Sequence, residues 1–362
     1  TTAWRILLDF VEHRCIFIRL PNWIGDIMMA RPAIHAIRES SNSVRLIAMA
    51  KASHLPLITR FGLFDDFLPA PENNCLKNAL SVWSAARAIS RHKASAAVVM
   101  APSFEAAFTT WLSGIRVRIG HRTDGRRWLL TDAVGLRPQV HRVHTYQNLS
   151  QALGSSGLAS VPTLSLNPTD RAYVTQLFQS MSWDAAVRPI FLNPAAAKTP
   201  RAWSSKRFRT LAERLSTQEA SRHIVVHARP PFPVSHDWAR LHGIALVSDV
   251  SLPKLAALLE RCSLYVGNDS GPAHLAVAVG IDTVTIFGSS VPGQTGPNVA
   301  HAPKAGLHSA VSEAFECAPC RERFFKDCPS PPSKDGRPPC LEAISVDVVL
   351  DRINRSLELA HC

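Results

Sequence analysis

Short apolar segments, strand-like in length, alternate with amphipathic segments along both halves of the chain. In the first half the apolar segments are CIFIRL (Cys15–Leu20), VRLIAMA (Val44–Ala50) and AAVVMA (Ala96–Ala101), and helical patterns cover Ile27–Arg38 and Leu80–Arg91. Strands that are apolar at nearly every position and are separated by helices predict a parallel sheet covered on both faces. The expected fold class is therefore α/β, with a doubly wound, Rossmann-like domain.

The same pattern restarts after a stretch rich in Ser, Gly and Pro, GSSGLASVPTLSLNPTD (Gly154–Asp170), which is typical of a linker. The predicted elements that follow are strands at 189–193, 223–228, 264–267 and 283–288, and helices at 205–215, after the Ser251 N-cap, and at 346–359. We expect an N-terminal domain over 1–166, a C-terminal domain over 167–345, and a terminal helix over 346–362 that packs back on the N-terminal domain.

The composition is that of a globular protein, with 46% hydrophobic and 19% charged residues. No uncharged apolar run reaches about 18 residues, the length that spans a bilayer. The beginning, TTAWRILLDFVEHRC, carries four charges and lacks the apolar core of a secretory signal. These features predict a cytoplasmic protein that contacts the membrane from inside. The role of the first fourteen residues is unexplained.

Positive charge is concentrated in the first half of the chain. Up to Asn167 there are 19 Lys and Arg residues against 10 Asp and Glu residues, and after it 21 against 18. This imbalance favours an anionic partner for the first domain: nucleic acid, phosphorylated lipid or acidic sugar. A generally basic protein without such a partner is the alternative.

Four of the eight cysteines cluster as Cys317-x2-Cys320-x7-Cys328-x11-Cys340. A C-x-x-C pair can begin a structural metal site, but the spacing of the second pair is wide for one. Free thiols in a folded loop are the favoured interpretation, and a metal site at these four residues is a weak candidate.

An aspartate, Asp26, follows the first predicted strand in the stretch RLPNWIGDIMM (Arg19–Met29). At this position a carboxylate either caps the helix or projects from the carboxyl edge of the sheet as a general base. The residues alone leave both roles open.

A strand runs directly into a helix through the turn GNDSGPAHLAVAVG (Gly267–Gly280). Unpaired N–H groups at a helix start favour an anion, usually a phosphate. Asp269 and Ser270 can accept hydrogen bonds from ribose hydroxyls, and Gly271 lets a ligand approach the backbone. His274 either donates to a phosphate oxygen or is a packed core residue.

Two basic segments offer partners for further anions. Lys198 and Arg201, in NPAAAKTPRAWSSKRF, can neutralise a leaving diphosphate or form a solvated loop. RVRIGHRTDGRR is either an anion-binding surface or a solvated run, and its arginines are Arg116, Arg118, Arg122, Arg126 and Arg127.

Several common motifs are missing. The sequence has no D-x-D pair for a divalent ion, no G-x-x-x-x-G-K-[ST] loop and no G-x-S-x-G elbow around Ser270. G-x-G-x-x-G does not follow the first strand, which disfavours a dehydrogenase.

Over nearly its whole length the chain resembles the bacterial lipopolysaccharide heptosyltransferases of glycosyltransferase family 9, closest to the heptosyltransferase II branch. The segments that carry the resemblance are NWIGDIMM, MAPSFEAAFTTWLSGIRVRIGHRTDGRRWLLTDAV, RAWSSKRF, and GNDSGPAHLAVAVG with IFGSSVPGQTGP. The resemblance implies the GT-B fold, two Rossmann-like domains facing across a cleft. It also implies an inverting, metal-independent transfer of L-glycero-D-manno-heptose from ADP-heptose, without a cofactor, to the lipid A–Kdo–heptose inner core, as the second heptose.

The resemblance also implies residue roles. Asp26 matches the catalytic base, and Asp269, Ser270, Gly271 and His274 match the motif that holds ADP. Lys198 and Arg201 are expected near the phosphates, and Asn22, Trp23, Arg122 and Arg126 near the acceptor. Two features depart from the family: Arg201 stands where a lysine is usual, and Ala196 and Ala197 stand where one branch has phosphate-binding hydroxyls.

Two other functions remain as alternatives. One is a transfer that uses another nucleotide sugar or acceptor, because sugar specificity rests on few hydroxyl contacts. The other is a basic nucleic-acid-binding protein. No known nucleic-acid-binding motif appears and aromatic residues are not interleaved with the basic run, so we expect no nucleic-acid partner.

Overall fold

A computed structural model describes most of the chain. The described residues are 15–40, 43–71, 79–137, 139–155, 161–196, 201–218, 222–228, 232, 234–298, 302–303, 306–315, 317, 320 and 338–360. The chain divides into two units, residues 1–165 and 166–362. The division lies one residue from the expected boundary. The first fourteen residues, Lys198 and Cys328 lie outside the described part.

Within its described residues, the first unit holds a parallel sheet of six strands in the order β3-β2-β1-β4-β5-β6. These strands are β1 (Cys15–Arg19), β2 (Arg45–Ala50), β3 (Asp66–Pro69), β4 (Ala96–Val99), β5 (Val117–His121) and β6 (Asp132–Val134). In register, Ile16 of β1 lies between Leu46 of β2 and Ala96 of β4. The helices are α1 (Ile24–Ser40), α2 (Leu55–Ile58), α3 (Ala79–Ser90), α4 (Phe104–Leu112) and α5 (Arg142–Ala152).

The described part of the second unit also holds a parallel six-stranded sheet, in the order β12-β11-β10-β7-β8-β9. Its strands are β7 (Ile190–Asn193), β8 (Ile224–His227), β9 (Ile244–Val247), β10 (Leu264–Asn268), β11 (Asp282–Ile286) and β12 (His308–Val311). Its helices are α6 (Pro168–Ser180), α7 (Ser205–Gln218), α8 (His236–Leu241), α9 (Leu252–Glu260), α10 (Gly271–Ala278), α11 (Pro292–Thr295), α12 (Pro339–Glu342) and α13 (Val346–Ala360).

The two sheets have the same strand order when each unit is numbered from its own first strand. In both, the third strand lies at one edge and the first strand pairs with the fourth. This is the order of a dinucleotide-binding sheet, whose ligands bind outside the carboxyl ends of the strands where the order reverses. The reversal lies between β1 and β4 in the first unit and between β7 and β10 in the second. The predicted α/β class and the predicted strands are confirmed.

Each unit has its own apolar core. β1, β4, β7, β8 and β10 are buried at every position, as expected for strands with helices on both faces. In the second unit α7 and α13 pack over the sheet and contribute Phe208, Leu211, Leu350 and Ile353 to the core. The predicted helix starts at Ser205 and after Ser251 are confirmed.

The terminal helix α13 contributes to the core of the second unit. Its buried residues, among them Val349 and Ile353, lie in the core of the second unit, and the helix packs against α7, β11 and β12. It is therefore part of the core of the second unit. The amphipathic sequence of α13 shows that one face is buried but does not reveal which core covers it.

Within the described ranges, no helix combines the length and the apolar character needed to cross a bilayer.

Candidate functional site

Asp26 lies in the first turn of α1, just beyond the carboxyl end of β1. Its carboxylate is 25% exposed and is held by two side chains of α5. The Tyr146 hydroxyl donates to Asp26 Oδ1 over 3.0 Å, and Arg142 Nε lies 4.0 Å from the same oxygen. Burial and the nearby Asp26 charge hold the pKa of Tyr146 well above its usual value, so Tyr146 keeps its proton and remains a donor. The carboxylate is thus oriented by another helix and still reaches solvent.

The loop before Asp26 is organised by a buried arginine. Arg19, the last residue of β1, donates to the Leu20 carbonyl over 2.5 Å and to Asn22 Oδ1 over 2.9 Å. Arg19 Nη2 also lies 4.0 Å from Glu105 Oε2, and burial lowers the pKa of the Arg19 guanidinium. Trp23, by contrast, is exposed, with Lys51 Nζ 5.0 Å from its ring centroid. Asn22 is therefore fixed in place, whereas Trp23 faces solvent directly before the first residue of α1.

The two arginines expected at the acceptor lie in different environments. Arg122 is exposed and lines a surface pocket of about 520 Å³ together with Arg127 and Trp128. Arg126 is fully buried and donates to the carbonyls of Ala101, Ser103 and His121. Arg126 therefore ties β4 to the loop after β5, and the expectation of a direct acceptor contact is corrected for this residue.

A buried histidine, His121, ends β5 beneath this loop. Burial and the neighbouring Arg126 charge lower the pKa of His121 to about 4, so its imidazole is neutral near pH 7. It adds no positive charge to the surface that Arg122 forms.

In the second unit, Asp269 and Ser270 follow β10 and lead directly into α10. Ser270 occupies the N-cap position with an extended backbone, but its hydroxyl does not cap the helix. Instead that hydroxyl accepts from Asn193 Nδ2 over 3.2 Å and lies 3.5 Å from Tyr265 Oη. The side chain of the N-cap residue therefore does not occupy the start of α10, the end of a helix that favours an anion.

A buried polar network holds the Ser270 turn against the sheet. Asn193, at the end of β7, is fully buried; it donates to Tyr265 Oη over 3.0 Å and accepts from His227 Nδ1 over 3.0 Å. Gly267 makes the close approach possible, because a Cβ there would lie 2.5 Å from Tyr265 Oη and 3.0 Å from the Asn193 side chain. Three neighbouring strands thus fix the turn.

Asp269 is almost completely buried beside this turn. Burial raises the pKa of its carboxyl, while a hydrogen bond from Ser290 and the Arg201 charge oppose that rise. Arg201 Nη1 lies 3.9 Å from Asp269 Oδ2. The structure therefore brings together Arg201 and Asp269, two residues that the sequence places 68 positions apart.

The loop that carries Lys198 is anchored at both ends by Asn268. Its amide oxygen accepts from the Trp203 N–H over 2.8 Å, and its Nδ2 donates to the Pro194 carbonyl over 2.8 Å. Lys198 itself lies outside the described residues. His274 lies within the first turns of α10 and is buried, with the apolar residues of that helix around it in sequence.

The cysteine cluster is only partly described. Cys340 is buried, Cys317 and Cys320 are half-buried, and Cys328 lies outside the described residues. Among the side chains that the structure describes, no group of three or more His, Cys, Asp or Glu is arranged to hold a metal ion.

Comparison with known proteins identifies the family. The model of glycosyltransferase family 9 (heptosyltransferase) matches residues 82–326, more than half of the chain. The chain belongs to glycosyltransferase family 9.

Several heptosyltransferases match most of this chain at low identity. Lipopolysaccharide heptosyltransferase 2 of Escherichia coli (strain K12) is 22% identical over 301 residues, which are 76% of this chain and 83% of the relative. The solved structure of E. coli ADP-heptose lipopolysaccharide heptosyltransferase II matches with a TM-score of 0.74 at 20% identity, over 96% of this chain and 99% of that chain. The structure of E. coli heptosyltransferase WaaC with ADP-2-deoxy-2-fluoro heptose matches with a TM-score of 0.65 at 14% identity, over 94% and 99%.

The family membership confirms that this chain is a glycosyltransferase, and the structural matches confirm the GT-B fold. The sequence did not single out the residues that hold the predicted site residues in place. Tyr146 and Arg142 contact Asp26, Arg19 donates to Asn22, and Asn193 donates to Ser270. Arg19, Asn193 and Asn268 did leave one signal, since each is a polar residue that ends an otherwise apolar strand. Tyr146 left none.

Proposed function

We propose that this family 9 enzyme transfers L-glycero-D-manno-heptose from ADP-heptose to heptose I of a lipid A–Kdo–heptose inner core, with inversion and without a metal ion. The names of the heptosyltransferase 2 relatives support the reaction, and the WaaC structure with an ADP-heptose analogue supports the donor class. The acceptor places the reaction at the cytoplasmic face of the inner membrane.

The observation that carries this proposal is the setting of Asp26. A carboxylate that is partly exposed, beyond the carboxyl end of β1, lies beside the strand-order reversal where such sheets bind ligands. Tyr146 and Arg142 hold one of its oxygens. The other oxygen can accept the proton of the attacking hydroxyl as that hydroxyl bonds to the anomeric carbon.

In the second unit, the turn at Ser270 is proposed to hold ADP. Asp269 and Ser270 offer oxygen atoms to the ribose hydroxyls, and the start of α10 with Gly271 faces the diphosphate. As the bond from the anomeric carbon to the diphosphate oxygen breaks, negative charge grows on the leaving group. Arg201, Lys198 and His274, together with the α10 N-terminus, are proposed to stabilise that charge.

The acceptor is proposed to bind to the first unit. Arg122 is exposed and positively charged, and it offers a planar pair of donors to phosphate or carboxylate groups of the inner core. Asn22 and Trp23 lie four and three residues before Asp26 in the sequence. They provide an amide and an exposed aromatic ring. Arg126 contributes only by holding the loop on which Arg122 lies.

A donor screen tests the proposal. Purified protein is incubated with a heptose I-terminated inner-core acceptor and, separately, with ADP-heptose, UDP-sugars and GDP-sugars, and products are followed by mass spectrometry. We expect product with ADP-heptose alone, and NMR of the purified product should show an anomeric configuration in the new linkage opposite to that of the donor. Faster turnover with a UDP- or GDP-sugar would instead support the same fold acting on another nucleotide sugar.

A further inference from the structure

Four aromatic side chains of the first unit form a continuous cluster on its surface, here called the aromatic patch: Phe104, Phe108, Trp111 and Trp128. Three of them lie on α4, and Trp128 lies in the short 3₁₀ turn Arg127–Leu129. Ring centroids are 6.0 Å apart for Phe104 and Phe108, 5.7 Å for Phe108 and Trp111, 5.9 Å for Phe104 and Trp128, and 6.4 Å for Trp111 and Trp128.

The outer rings of the aromatic patch are left open to solvent. Trp128 is 64% exposed and Trp111 is 42% exposed, and Leu112 beside them is exposed as well. Phe104 and Phe108 are partly buried against a small core that includes Ala106 and Leu129. Contiguous exposed apolar surface of this kind marks a site of interaction with a protein or a membrane.

The charges around the aromatic patch select between these partners. In the stretch 103–134, which the structure describes completely, the exposed charged residues are Arg116, Arg122, Asp124 and Arg127. Asp124 is the one exposed acid among them, and one of its oxygens accepts from the Phe104 N–H over 2.7 Å. Arg122 and Arg127 line a pocket together with Trp128, so the charge beside the patch is positive and suits an anionic surface.

We propose that the aromatic patch docks on an anionic phospholipid surface. Tryptophan rings prefer the level of the lipid headgroups, and arginines beside them pair with lipid phosphates. The inference deepens the proposed function and rests on it for its purpose, which is to bring the enzyme to a lipid-borne acceptor. Trp128 and Arg122 line the same surface pocket, so the docked ring lies beside a residue proposed to bind that acceptor.

A nucleic-acid strand suits the aromatic patch less well than a lipid surface. Single strands bind through bases that stack on aromatic faces along a basic groove. Here the rings pack on one another, and Phe104 and Phe108 are stacked with an interplanar angle of 15°. The patch therefore presents a joined apolar surface instead of separate stacking platforms.

Vesicle flotation tests this inference with the full chain. Vesicles of phosphatidylcholine alone are compared with vesicles that contain phosphatidylglycerol, at low and high salt. We expect the wild type to float with the anionic vesicles, and the bound fraction to fall with salt. The double variant Trp111→Ser/Trp128→Ser should bind at least about fivefold more weakly, because it loses two interfacial rings.

The matched control is Leu241→Ser, which removes an exposed apolar side chain from the second unit. This control should float as the wild type does. Thermal unfolding of the double variant should be close to that of the wild type, because both tryptophans are exposed. Three outcomes would overturn the inference: wild-type protein that ignores anionic vesicles, a double variant that binds them equally well, or tryptophan-dependent binding of a single-stranded oligonucleotide in place of vesicles.

An activity measurement separates this inference from the proposed function. Trp111→Ser should transfer sugar to a lipid-free inner-core acceptor at the wild-type rate and lose rate only when the acceptor is embedded in anionic vesicles. If no donor supports transfer while flotation still depends on the two tryptophans, the proposed function fails and the docking surface stands. Equal loss of rate with both forms of acceptor would refute docking as the role of Trp111.

Discussion

In the first unit the Asp26 carboxylate is held by a tyrosine 120 residues away in the sequence, whereas in the second unit the Ser270 turn is held by residues that end or lie within neighbouring strands. Asp26 is partly exposed and has charged and hydroxyl neighbours. The Ser270 turn is held by the fully buried amide of Asn193. It also needs Gly267, because a side chain at that position would displace Tyr265 or Asn193. One arrangement suits a group that exchanges a proton, and the other suits rigid recognition of a nucleotide.

The comparison predicts the largest effect at Asp26. Asp26→Asn should lower kcat by about a thousandfold or more, because an amide cannot take the proton of the attacking hydroxyl. The affinity for ADP, measured by calorimetry, should stay close to that of the wild type. Glu39→Gln is the matched control, an exposed acid near the other end of α1 that should leave kcat unchanged. An Asp26→Asn enzyme with near-normal turnover would remove Asp26 as the base.

The second unit should respond in affinity rather than in turnover. In Gly267→Ala the new methyl group collides with Tyr265 and displaces Asn193. We expect a free energy of unfolding lower by about 1–3 kcal/mol and ADP affinity weaker by roughly tenfold. For stability the control is Gly293→Ala, where a Cβ meets nothing within 4 Å. A Gly267→Ala protein with wild-type thermal stability and ADP affinity would show that the turn is not held as described.

A smaller effect is expected at Tyr146. Tyr146→Phe removes the hydrogen bond to Asp26 and leaves the ring in place, so kcat should fall by about three- to tenfold with little change in the KM for the donor. Tyr173→Phe, a tyrosine of the second unit whose ring lies under Lys254, is the control and should be neutral. A change in donor KM alone would contradict the assignment of Tyr146 to the carboxylate.

The buried Asp269 predicts a modest dependence of stability on pH. Burial raises its pKa above the ordinary value of 3.8, so the folded protein binds the proton more tightly than the unfolded chain does. The contribution of Asp269 to stability should therefore fall as pH rises from about 4 through the raised pKa, by about 1.4 kcal/mol for each unit of that rise. Urea unfolding between pH 4 and 7, without nucleotide, should show that the free energy of unfolding of the wild type falls relative to that of Asp269→Asn as pH rises. A difference of the opposite sign between the two proteins would mean that Arg201 and Ser290 outweigh burial at Asp269.

The smallest effect is expected from metal removal. The charge of the leaving diphosphate is proposed to be met by side chains and the α10 N-terminus, so EDTA should leave kcat unchanged. A large loss of rate that magnesium restores would show that the second unit works with a divalent ion.

The sequence predicted the fold well because its strands are apolar without interruption. Segments such as CIFIRL and LYVG are too apolar to face water on either side, and only a sheet between two helical layers buries them. The turn at Ser270 was also predictable, since its residues are contiguous. The burial of Arg126 could not be predicted. A sequence shows that a loop is basic, but it does not show which guanidinium is buried and donates to the carbonyls of Ala101 and His121.

The partners of Asp26 could not be predicted for a similar reason. Tyr146 lies in VHTYQNL, a helix of ordinary composition, and only the packing of α5 on α1 brings its hydroxyl to the carboxylate. The core that covers α13 was likewise hidden, because amphipathicity reveals a buried face and not its neighbour.

The repeated strand order and the separate cores have a consequence for how this family diversifies. Arg171 ties the start of the second unit to α9. It donates hydrogen bonds of 2.9 and 3.0 Å to the Glu260 carboxylate and a further one to the Leu166 carbonyl. Three hydrophobic clusters of the described residues each draw their members from a single unit. The loops of residues 1–165 can therefore change during evolution to suit a new sugar acceptor without altering the unit that is proposed to bind the nucleotide.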